Sequence, residues 1–372
     1  EISRRKLLTL DEEKRLTRRI KDGMRKIDLK TNSPCKIVID KNLIQNSGNY
    51  IKNLSSTGQV LIITDDLVNE LYSNKLTESL IGNGFEVFLF VLTRGEPSKN
   101  FHTVERIYSF LIKNKFTRSD LIIALGGGVI GDIAGFVAAT YMRGMGFIQI
   151  PTTLLAQIDS SIGGKNGINL SHGKNLIGTF YQPKLVLIDV DTLSTLPEKL
   201  ISDGMAEAIK YGLIKSSSLF NMIKNNKFED IRKDLIFECI NIKKDIVEQD
   251  ELEQNERKLL NFGHTLGHAI EKFYNFTGYT HGQAVALGMA YTVLSSEKIS
   301  VTKAGTYKEL ISVLEKYTLP YKLHCDMDAL VAVAKVDKKA VGEFFDVVLI
   351  KDIGEGFIKR IKKYDLKKYI GG

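Results

Sequence analysis

Cysteine is scarce in this sequence, and no two cysteines form a CxxC pair. The three thiols, Cys35, Cys239 and Cys325, are scattered through 372 residues. This pattern argues against a disulfide framework and indicates a reducing compartment, in which buried cysteines serve as small apolar residues. The charged N-terminus also lacks the apolar core of a secretory signal. We therefore expect a cytoplasmic location, and the first residue, Glu1, leaves open that an upstream segment was removed.

Long apolar runs are also absent. The least charged stretch, residues 121–142, holds five glycines and Asp132 after a short apolar run. Glycines spaced as in membrane helix pairs make a membrane span the rival interpretation. We reject it, because a short apolar run followed by glycines and an acid is typical of a strand, a loop and a helix. We therefore expect no membrane partner.

The net charge of +8 is unevenly distributed along the chain. Residues 1–30 contribute 11 basic against 6 acidic side chains, and residues 351–372 contribute 7 against 3, so the body is close to neutral. A near-neutral body with basic ends is not the footprint of a dedicated nucleic-acid-binding protein. A weak, salt-sensitive contact with polyanions stays open.

Residues 9–28 predict an amphipathic helix. Thr9 and Glu12 form a capping box at its start, and an apolar stripe follows at helical spacing. The stripe consists of Leu16, Ile20, Met24 and Ile27. We expect such a helix to pack on the body or on a neighbouring subunit, or to link to an upstream domain.

From residue 35 onward, apolar runs rich in β-formers alternate with helical segments. The runs are CKIVID, VLIITDD, EVFLFVL, LIIALGG, GFIQIPTT and LVLIDVD. This alternation predicts a mostly parallel sheet with helices on its faces. After about residue 198 helical patterns dominate, and FFDVVLI and GFIKRIKK then predict a small hairpin. The expected fold class is a Rossmann-like α/β domain followed by a mainly α-helical domain.

A glycine-rich turn follows the fourth of these runs. Gly126, Gly128 and Gly131 satisfy G-x-G-x-x-G between a predicted strand and a predicted helix. Such glycines let a pyrophosphate approach the backbone, and the helix N-terminus supplies amide donors. The ribose-binding acid expected about 20 residues later is missing, so Asp65 upstream becomes the candidate. Asp132 either stabilises the first helical turn or touches the cofactor.

Three of the six histidines fall within 18 residues. His264 and His268 are four residues apart and share one face of a predicted helix, and His281 follows after a short break. Imidazole is the commonest metal ligand, and a histidine cluster with a distant carboxylate suits zinc. The alternative is two core or capping histidines and one loop histidine. Spacing alone favours His264 with His268.

Residues 151–183 are rich in Thr, Ser, Gly, Asn and Lys, which is unusual for a domain interior. Lys165 and Lys174 lie in glycine-containing turns, and with other basic residues they suggest a pocket for a multiply anionic ligand. The others are Arg143, Lys210, Lys243 and Arg257. Glu207 stands three residues before Lys210 on one predicted helix. The two form an ordinary ion pair, or a metal-binding carboxylate beside a substrate lysine.

Taken together, the long motifs of the chain resemble the 3-dehydroquinate synthase family. The motifs are GGGVIGDIAGF, RG, PTTLLAQIDSSIGGKNG, KNLIGTFYQP, DGMAEAIKYG, ERKLLNFGHTLGHAIE, HGQAVALGM and DKK. The resemblance spans roughly residues 35–365 and implies an NAD domain, a helical metal-binding domain and an active site in the cleft. We therefore divide the chain into a basic extension (residues 1–30), an NAD-binding domain (31–198) and a metal and substrate domain (199–372).

The resemblance also implies a reaction. It is the conversion of 3-deoxy-D-arabino-heptulosonate 7-phosphate to 3-dehydroquinate and phosphate in the shikimate pathway, with NAD and zinc or cobalt. We hypothesise oxidation at C5, elimination of phosphate, return of the hydride and an intramolecular aldol closure. NAD is then regenerated in each turnover, so the enzyme is a lyase and not a net oxidoreductase. The resemblance further implies a homodimer.

The family pattern implies roles for individual residues. It places the metal on Glu207, His264 and His281, and it turns His268 toward the substrate phosphate, against the spacing argument. The implied contacts to NAD are Asp65, Gly95, Glu96, Lys99, Asn100, Gly127, Gly128, Val129, Ile130, Gly131, Asp132, Thr152, Thr153, Thr192, Leu193, Ser194 and Thr195.

The same pattern implies a pocket for a phosphorylated, carboxylated sugar acid. Lys165 and Lys174 lie between cofactor and substrate in this pattern. The residues implied to bind the substrate hydroxyls and carboxylate are Asp159, Lys210, Lys243 and Arg257. The residues implied to bind the phosphate are Asn175, Asn261, His268 and a lysine of DKK (Lys339 in preference to Lys338). Arg143 of a second subunit is implied to contact the same phosphate. The first 30 residues depart from the pattern.

Three other functions stay open on the sequence. An NAD-dependent polyol dehydrogenase of the same superfamily would lack the anionic pocket and would more often carry Asp in place of Glu207. Another sugar-phosphate cyclase would take a substrate without the carboxylate, against which Arg257, Asn261 and the DKK lysines argue. A catalytically inactive NAD-binding or interaction module would depend on the basic N-terminal helix.

Overall fold

The computed structural model describes residues 23–54, 58–335 and 343–371. Most of the strands in this part of the chain belong to one large sheet, and the others form two hairpins. In chain order the strands are β1 (Arg25–Leu29), β2 (Cys35–Asp40), β3 (Gln59–Asp65), β4 (Glu86–Leu92), β5 (Leu121–Gly126), β6 (Gly146–Pro151), β7 (Lys165–Leu170), β8 (Gly173–Phe180), β9 (Leu185–Asp189), β10 (Phe344–Ile350) and β11 (Gly356–Lys362).

The large sheet has the strand order β1-β2-β9-β6-β5-β3-β4. All neighbouring strands are parallel except β1 and β2. The six apolar runs supply β2 to β6 and β9, so the predicted mostly parallel sheet is confirmed. Val60 and Ile62 of β3 point into one apolar cluster, and Leu61 and Ile63 point into another. Burial on both faces explains why a central strand such as β3 lacks polar alternation.

Helices cover both faces of this sheet. They are α1 (Ser47–Ile51), α2 (Asp66–Val68), α3 (Asn74–Ile81), α4 (Phe101–Lys113) and α5 (Gly128–Thr140). Residues of α4 and α5 join the cluster around Leu61, whereas residues of α1 and α3 join the cluster around Val60. In this arrangement short loops connect each strand to the neighbouring helix. The loops therefore lie at the amino and carboxyl ends of the strands.

The predicted helix over residues 9–28 is wrong at its end, because Arg25–Leu29 is strand β1. Ile27 and Leu29 are 6% and 1% exposed, and they alternate as in a strand. Met24 and Ile27 are also three residues apart, which is why they fitted a helical stripe. The sheet thus begins inside the segment predicted as an extension, and the predicted capping box and early stripe lie outside the described residues.

The sequence did not predict the hairpin formed by β7 and β8. Its strands pair antiparallel, with a register shift between Ile168 and Leu170. A Cβ atom on Gly178 would lie 2.4 Å from the carbonyl oxygen of Asn166 in the opposite strand, so the strands approach too closely for a side chain. The hairpin packs against α5, and its lysines reach acids of the helical half.

The helical half begins at Glu198. Its helices are α6 (Glu198–Lys215), α7 (Ser217–Asn225), α8 (Phe228–Gln249), α9 (His264–Phe273), α10 (His281–Lys298), α11 (Thr306–Lys316), α12 (Met327–Lys335) and α13 (Leu366–Ile370). The antiparallel pairing of β10 with β11 confirms the predicted hairpin. Within the described ranges, no helix combines the length and apolar character that a membrane span requires. The expected fold class is confirmed.

One apolar core joins the sheet to the helical half. Ile37 and Ile39 of β2 belong to it together with Ile209 of α6 and Leu235 of α8, and all four are 0% exposed. Shared burial of this kind is the main force that holds two layers together. The cleft beside this core contains the candidate site.

Candidate active site

The residues predicted to contact a dinucleotide lie at one edge of the sheet. They follow the carboxyl ends of parallel strands: Asp65 at the end of β3, residues 95–100 after β4, residues 127–132 after β5, Thr152 and Thr153 after β6, and residues 192–195 after β9. Ligands of open α/β sheets bind outside this edge. The topology therefore brings together residues that are far apart in sequence.

The glycine-rich turn after β5 has little room for side chains. A Cβ on Gly126 would lie 2.8 Å from the Ile130 side chain, and one on Gly131 would lie 2.9 Å from Oε1 of Gln149. The absence of a side chain at Gly126 keeps the turn tight, and its absence at Gly131 lets α5 lie close to the sheet. α5 has no side-chain cap at its N-terminus, so its first amide groups are available to a pyrophosphate.

Asp132 lies in the second turn of α5, so its interpretation as an acid of the first turn is wrong. Lys99 forms an ion pair with Asp132 and donates a hydrogen bond of 2.5 Å to Oδ1 of Asn175. Burial raises the pKa of Asp132, and the Lys99 ammonium opposes that rise. Lys99 thereby links the loop after β4 to α5 and to the hairpin β7–β8.

A cavity of about 440 Å³ opens beside this edge of the sheet. Oε1 of Glu96 accepts a hydrogen bond of 2.7 Å from Asn169 of the hairpin. Nζ of Lys174 lies 4.3 Å from the ring centre of Phe276, which belongs to the helical half. The predicted residues that line this cavity are Glu96, Lys99, Asn100 and Lys174. The cavity therefore borders both halves of the molecule.

A larger cavity of about 610 Å³ lies between the hairpin β7–β8 and the helical half. It brings together many of the predicted site residues, which are Asp132, Asp159, Lys165, Asn175, Lys210, Lys243, Arg257, Asn261, His264 and His268. The hairpin also contributes Asn166, Thr179 and Phe180, which the sequence did not single out. Converging charged groups in a large cavity are typical of an active site.

The predicted metal ligands meet beside this cavity. Nε2 of His264 and Nε2 of His281 each lie 3.4 Å from Oε1 of Glu207. One candidate ligand atom from each residue lies within 4.8 Å of the other two. His268 instead groups with Glu271 and His281. The arrangement therefore favours the set implied by the family resemblance over the pair that spacing alone suggested.

The orientation of these side chains fits a divalent metal. Nδ1 of His264 lies 3.0 Å from the carbonyl oxygen of Phe262, which can only accept, so Nε2 keeps its lone pair. Glu207 is 0% exposed; its Oε2 pairs with the Lys210 ammonium, and its Oε1 faces the two imidazoles. Burial raises its pKa, but Lys210 and His264 outweigh burial and lower that pKa to about 2. A buried, ionised carboxylate beside two imidazoles suits zinc and related ions.

Glycines set the spacing of the helices that carry these ligands. A Cβ on Gly288 of α10 would lie 1.9 Å from the carbonyl oxygen of Gly263, the residue that precedes α9 with a φ of 77°. A Cβ on Gly282 would lie 2.2 Å from the carbonyl oxygen of Asp203. The Asp203 carboxylate also accepts the N–H of Gly282 at 2.6 Å. These contacts let α6, α9 and α10 approach closely enough to share one ion.

A second charged group contributes to the wall of the larger cavity. Lys243 donates hydrogen bonds of 2.6 Å to Oδ1 and to the backbone oxygen of Asp159. The Tyr211 hydroxyl donates to the same Oδ1 at 2.7 Å. Burial raises the pKa of Asp159, but Lys243 and Lys210 outweigh burial and hold that pKa below its usual range. The ionised pair is held in one orientation toward the cavity.

Arg257 presents a buried guanidinium to the same cavity. The residue is 1% exposed and donates to the carbonyl oxygens of Gly163, at 3.0 Å, and Glu251. Its Nε has no hydrogen-bond partner among the residues that the structure describes. Because a guanidinium has five donors in a planar fork, this side chain is suited to a carboxylate or phosphate ligand.

Sequence reasoning missed Glu253. Its carboxylate pairs with Lys165 and accepts a hydrogen bond of 2.6 Å from Nδ2 of Asn261. Its φ of 59° is costly for a residue with a side chain, and such strain is common at functional sites. In the sequence Glu253 is one of several acids in DELEQNE, and no local signal separates it from the others.

Glu271 was also missed. Its two oxygens lie 3.4 Å from Nζ of Lys174 and 3.4 Å from Nδ1 of His281. Glu271 stands three residues after His268, on the same face of α9, so helical spacing could have indicated it. The site therefore contains two acids that the sequence analysis did not assign.

Three of the residues predicted to bind the substrate phosphate are not placed at the larger cavity by the structure. Lys338 and Lys339 lie outside the described residues. Arg143 follows α5 and precedes β6, at the edge of the sheet opposite to the cofactor residues. Met142 and Arg143 both have left-handed φ angles, of 47° and 65°. Within one chain, Arg143 is therefore separated from the other predicted site residues.

Comparison with known families gives a match over most of the chain. The N-terminal model of 3-dehydroquinate synthase matches residues 89–203, and the C-terminal model matches residues 204–340. The 3-dehydroquinate synthase of Clostridium acetobutylicum is 46% identical over 339 residues, which cover 90% of this chain and 95% of that protein.

Two solved structures are similar over nearly their whole length. A 2-epi-5-epi-valiolone synthase from Streptomyces hygroscopicus, with NAD+ and Zn2+ bound, has a TM-score of 0.82 and 26% identity over 92% of this chain and 97% of its own. A 2-deoxy-scyllo-inosose synthase, complexed with carbaglucose-6-phosphate, NAD+ and Co2+, has a TM-score of 0.81 and 24% identity over 94% of this chain and 99% of its own. The second similarity concerns the fold alone.

Proposed function

The chain belongs to the 3-dehydroquinate synthase family, and we propose that it converts 3-deoxy-D-arabino-heptulosonate 7-phosphate to 3-dehydroquinate and phosphate with NAD and a divalent metal. One observation carries this proposal: the triad of Glu207, His264 and His281 adjoins a cavity lined by Lys210, Lys243 and other basic groups. A metal beside anion-binding groups suits a phosphorylated sugar acid better than a simple alcohol.

NAD is proposed to occupy the carboxyl edge of the sheet. The first amide groups of α5 would hold its pyrophosphate, and the Asp65 carboxylate would accept a hydrogen bond from a ribose hydroxyl. Bound NAD supplies the hydride acceptor. Lys99 and Glu96 keep the loop after β4 and the hairpin in contact, so both stay close to the cofactor. Both similar solved structures contain NAD+.

Glu207, His264 and His281 are proposed to hold the metal, zinc or cobalt. When bound, the metal supplies a Lewis acid beside a substrate hydroxyl. Lys210, already paired with Glu207, keeps that carboxylate ionised and faces the cavity. Zinc and cobalt occur in the two similar structures, and elemental analysis of the purified protein distinguishes them.

The substrate is proposed to be held by groups of both halves. Arg257 and Lys243 would bind its carboxylate, and Asp159, which is ionised, would accept hydrogen bonds from hydroxyls. Lys165 and Lys174 lie between this pocket and the cofactor edge. Asn175, Asn261, His268 and Lys339 or Lys338 would bind the phosphate. Fixing all reacting groups in one cavity turns elimination and ring closure into unimolecular steps.

We propose a homodimer in which Arg143 completes the phosphate pocket of the second copy. Arg143 lies in a tight turn with a left-handed φ and makes no ion pair among the described residues, so its guanidinium is available to a second copy. Mixing an Arg143→Ala chain with a Lys243→Ala chain tests this arrangement. Recovery of activity in the mixture supports action across the interface, and no recovery contradicts it.

A cytoplasmic location is proposed as well. Cys35 and Cys239 are free and buried, and Cys325 is free and partly exposed. Free thiols are typical of reducing compartments. Cell fractionation with an antibody against the protein checks this location, and recovery outside the cytoplasmic fraction would contradict it.

The first experiment measures phosphate release from 3-deoxy-D-arabino-heptulosonate 7-phosphate with NAD present. It is done before chelation, after chelation and after zinc is added back. We expect metal-dependent release without accumulation of NADH. Steady NADH formation from glycerol-like polyols without phosphate release would instead favour a polyol dehydrogenase. If neither phosphate release nor NADH formation is detected, the enzyme acts on another cyclase substrate.

A further inference from the structure

We infer that Glu271 is a positioning residue that fixes His281 as a metal ligand and couples it to Lys174. This inference rests on the proposed metal site. Glu271 lies on α9, is 7% exposed, and directs one carboxylate oxygen to each of the two partners. Among the described residues no ion pair joins it to Glu207, so its effect on the metal must pass through His281.

The contact with His281 would hold the ring proton on one nitrogen when a metal binds the other. Nδ1 lies 3.4 Å from Oε2 of Glu271, and Nε2 lies 3.4 Å from Oε1 of Glu207. With the metal on Nε2, beside Glu207, the carboxylate of Glu271 would accept a hydrogen bond from the proton on Nδ1. Metal-binding histidines usually donate their second nitrogen in this way. Without Glu271, His281 would lose the group that fixes its tautomer.

His264 offers an internal comparison. Its Nδ1 lies 3.0 Å from a backbone carbonyl oxygen, that of Phe262, which no side-chain substitution removes. His281 is fixed by a side chain instead, and its side chain is 33% exposed against 12% for His264. Of the two histidine ligands, His281 is therefore the one whose orientation depends on a replaceable group.

Glu271 also fixes the position of Lys174. Nζ of Lys174 lies 3.4 Å from Oε1 of Glu271 and faces the ring of Phe276, so the hairpin lysine is held against the helical half. Lys174 also lines the cavity beside the cofactor edge. One carboxylate therefore joins a metal ligand to a lysine of the cofactor side.

A rival role for Glu271 is direct metal ligation. His268, Glu271 and His281 also place one candidate ligand atom each within 4.8 Å of one another. This set shares His281 with the first set, so a second ion would have to use the opposite nitrogen of the same ring. We favour the positioning role, because the Lys174 ammonium, 3.4 Å from Oε1 of Glu271, already places a positive charge beside this carboxylate.

The test compares Glu271→Gln and Glu271→Asp with Glu297→Gln. Glu297 is a matched control, since its carboxylate also accepts a hydrogen bond, from the N–H of Tyr307, but at the far end of α10. Zinc affinity is measured by competition with a chromogenic chelator, and the visible absorption of the cobalt-loaded protein reports ligand geometry. Neither readout requires turnover, so failure of the proposed reaction does not affect this test.

We expect Glu271→Gln to weaken zinc binding roughly 10- to 100-fold and to alter the cobalt spectrum, as loss of outer-shell partners does. Glu271→Asp, which keeps the charge, should recover part of the affinity, and Glu297→Gln should match the parent protein. Unchanged affinity and spectrum in both Glu271 variants would overturn the inference. Two zinc ions per parent chain, with one lost in Glu271→Gln, would overturn it in favour of direct ligation.

Discussion

In the sheet half of the molecule, the candidate site consists of strand ends and loops, and much of it is backbone. The glycine-rich turn contributes amide groups, and Asp65 and Lys99 stand where strands or loops end. In the helical half, the site consists of ionisable side chains buried within helices, such as Glu207, Lys210 and Lys243. The first part is preformed by topology, and the second depends on paired charges.

This difference predicts how each half responds to substitution. Removing one member of a buried ion pair leaves its partner uncompensated, at a cost of roughly 3–5 kcal/mol in protein stability. Removing one hydrogen-bonding group from a loop costs roughly 1 kcal/mol or less in stability. Substitutions of the buried pairs in the helical half should therefore affect folding and function together, whereas substitutions of loop groups in the sheet half outside the Lys99–Asp132 pair should mainly affect cofactor binding.

The largest effect is expected for Glu207→Ala. It removes a metal ligand and leaves Lys210, 2% exposed, without its closest carboxylate. We expect loss of bound zinc, loss of phosphate release, and a fall of roughly 3 kcal/mol in the free energy of unfolding. Elemental analysis, the phosphate assay and urea denaturation check these outcomes.

Glu256→Ala is the control for that variant. Glu256 pairs with Lys215 at 2.7 Å, but both side chains are more than a third exposed. An exposed pair contributes roughly 0–1 kcal/mol, so stability and metal content should hardly change. If both variants behaved alike, the contrast between buried and exposed charge would be wrong.

Arg257→Ala should weaken substrate binding far more than NAD binding. The guanidinium has donors to spare in the substrate cavity, and charged hydrogen bonds contribute roughly 1.5–3 kcal/mol, which corresponds to about 10- to 100-fold in affinity. Calorimetric titration with a substrate analogue and with NAD measures both. Arg232→Ala serves as a control, because Arg232 lies 3.8 Å from Asp191, away from the cavity. Equal losses for the two ligands would contradict the assignment.

Asp65→Asn should leave folding intact and weaken the binding of NAD. Asp65 accepts the N–H of Val68 at 3.0 Å, and asparagine caps helices about as well as aspartate. A ribose hydroxyl would nevertheless lose a charged acceptor, which corresponds to roughly 10-fold in affinity. Fluorescence titration with NADH measures it, with Asp66→Asn as the neighbouring control. An unchanged affinity would place the ribose elsewhere.

The smallest effect is expected from removing residues 1–22, which should leave phosphate release unchanged if the basic extension is an accessory. Removing residues 1–29 should behave differently, because it deletes β1 and exposes the core around Ile27 and Leu29. Each fully buried side chain of this size contributes roughly 1.5–3 kcal/mol. Comparing thermal unfolding of the two shortened chains separates an accessory segment from a structural strand.

The sequence was most informative where local pattern and tertiary environment agree. The apolar runs of β3, β5, β6 and β9 are buried on both faces, and those of β2 and β4 are as apolar although β4 is a half-exposed edge strand, so composition alone predicted them. The hairpin β7–β8 escaped prediction because GKNGINL and GKNLIGTF are rich in Gly, Asn and Lys, which disfavour strands. Its strands form because their glycines let two backbones approach closely.

Site residues were predictable where a motif fixes their chemistry. Glu207, His264 and His281 belong to long motifs, so the resemblance assigned them although spacing preferred another pair. Glu253 and Glu271 come to the site through the conformation of a loop and the packing of α9 on the hairpin. The loop that carries Glu253 has no signature of this proximity in its own sequence, whereas Glu271 could have been indicated by its helical spacing from His268.

The four lysines that the sequence analysis grouped into a basic pocket, and Lys99 of the cofactor edge, each meet a carboxylate of their own chain. The pairs are Lys99–Asp132, Lys165–Glu253, Lys174–Glu271, Lys210–Glu207 and Lys243–Asp159. These carboxylates are tethered counter-ions, present at a high effective concentration. Chloride or free phosphate, each with a single charge centre, must displace them one by one and competes poorly. A ligand that carries several anionic groups on one frame exchanges many counter-ions at once, so the pocket stays selective in a salt-rich medium.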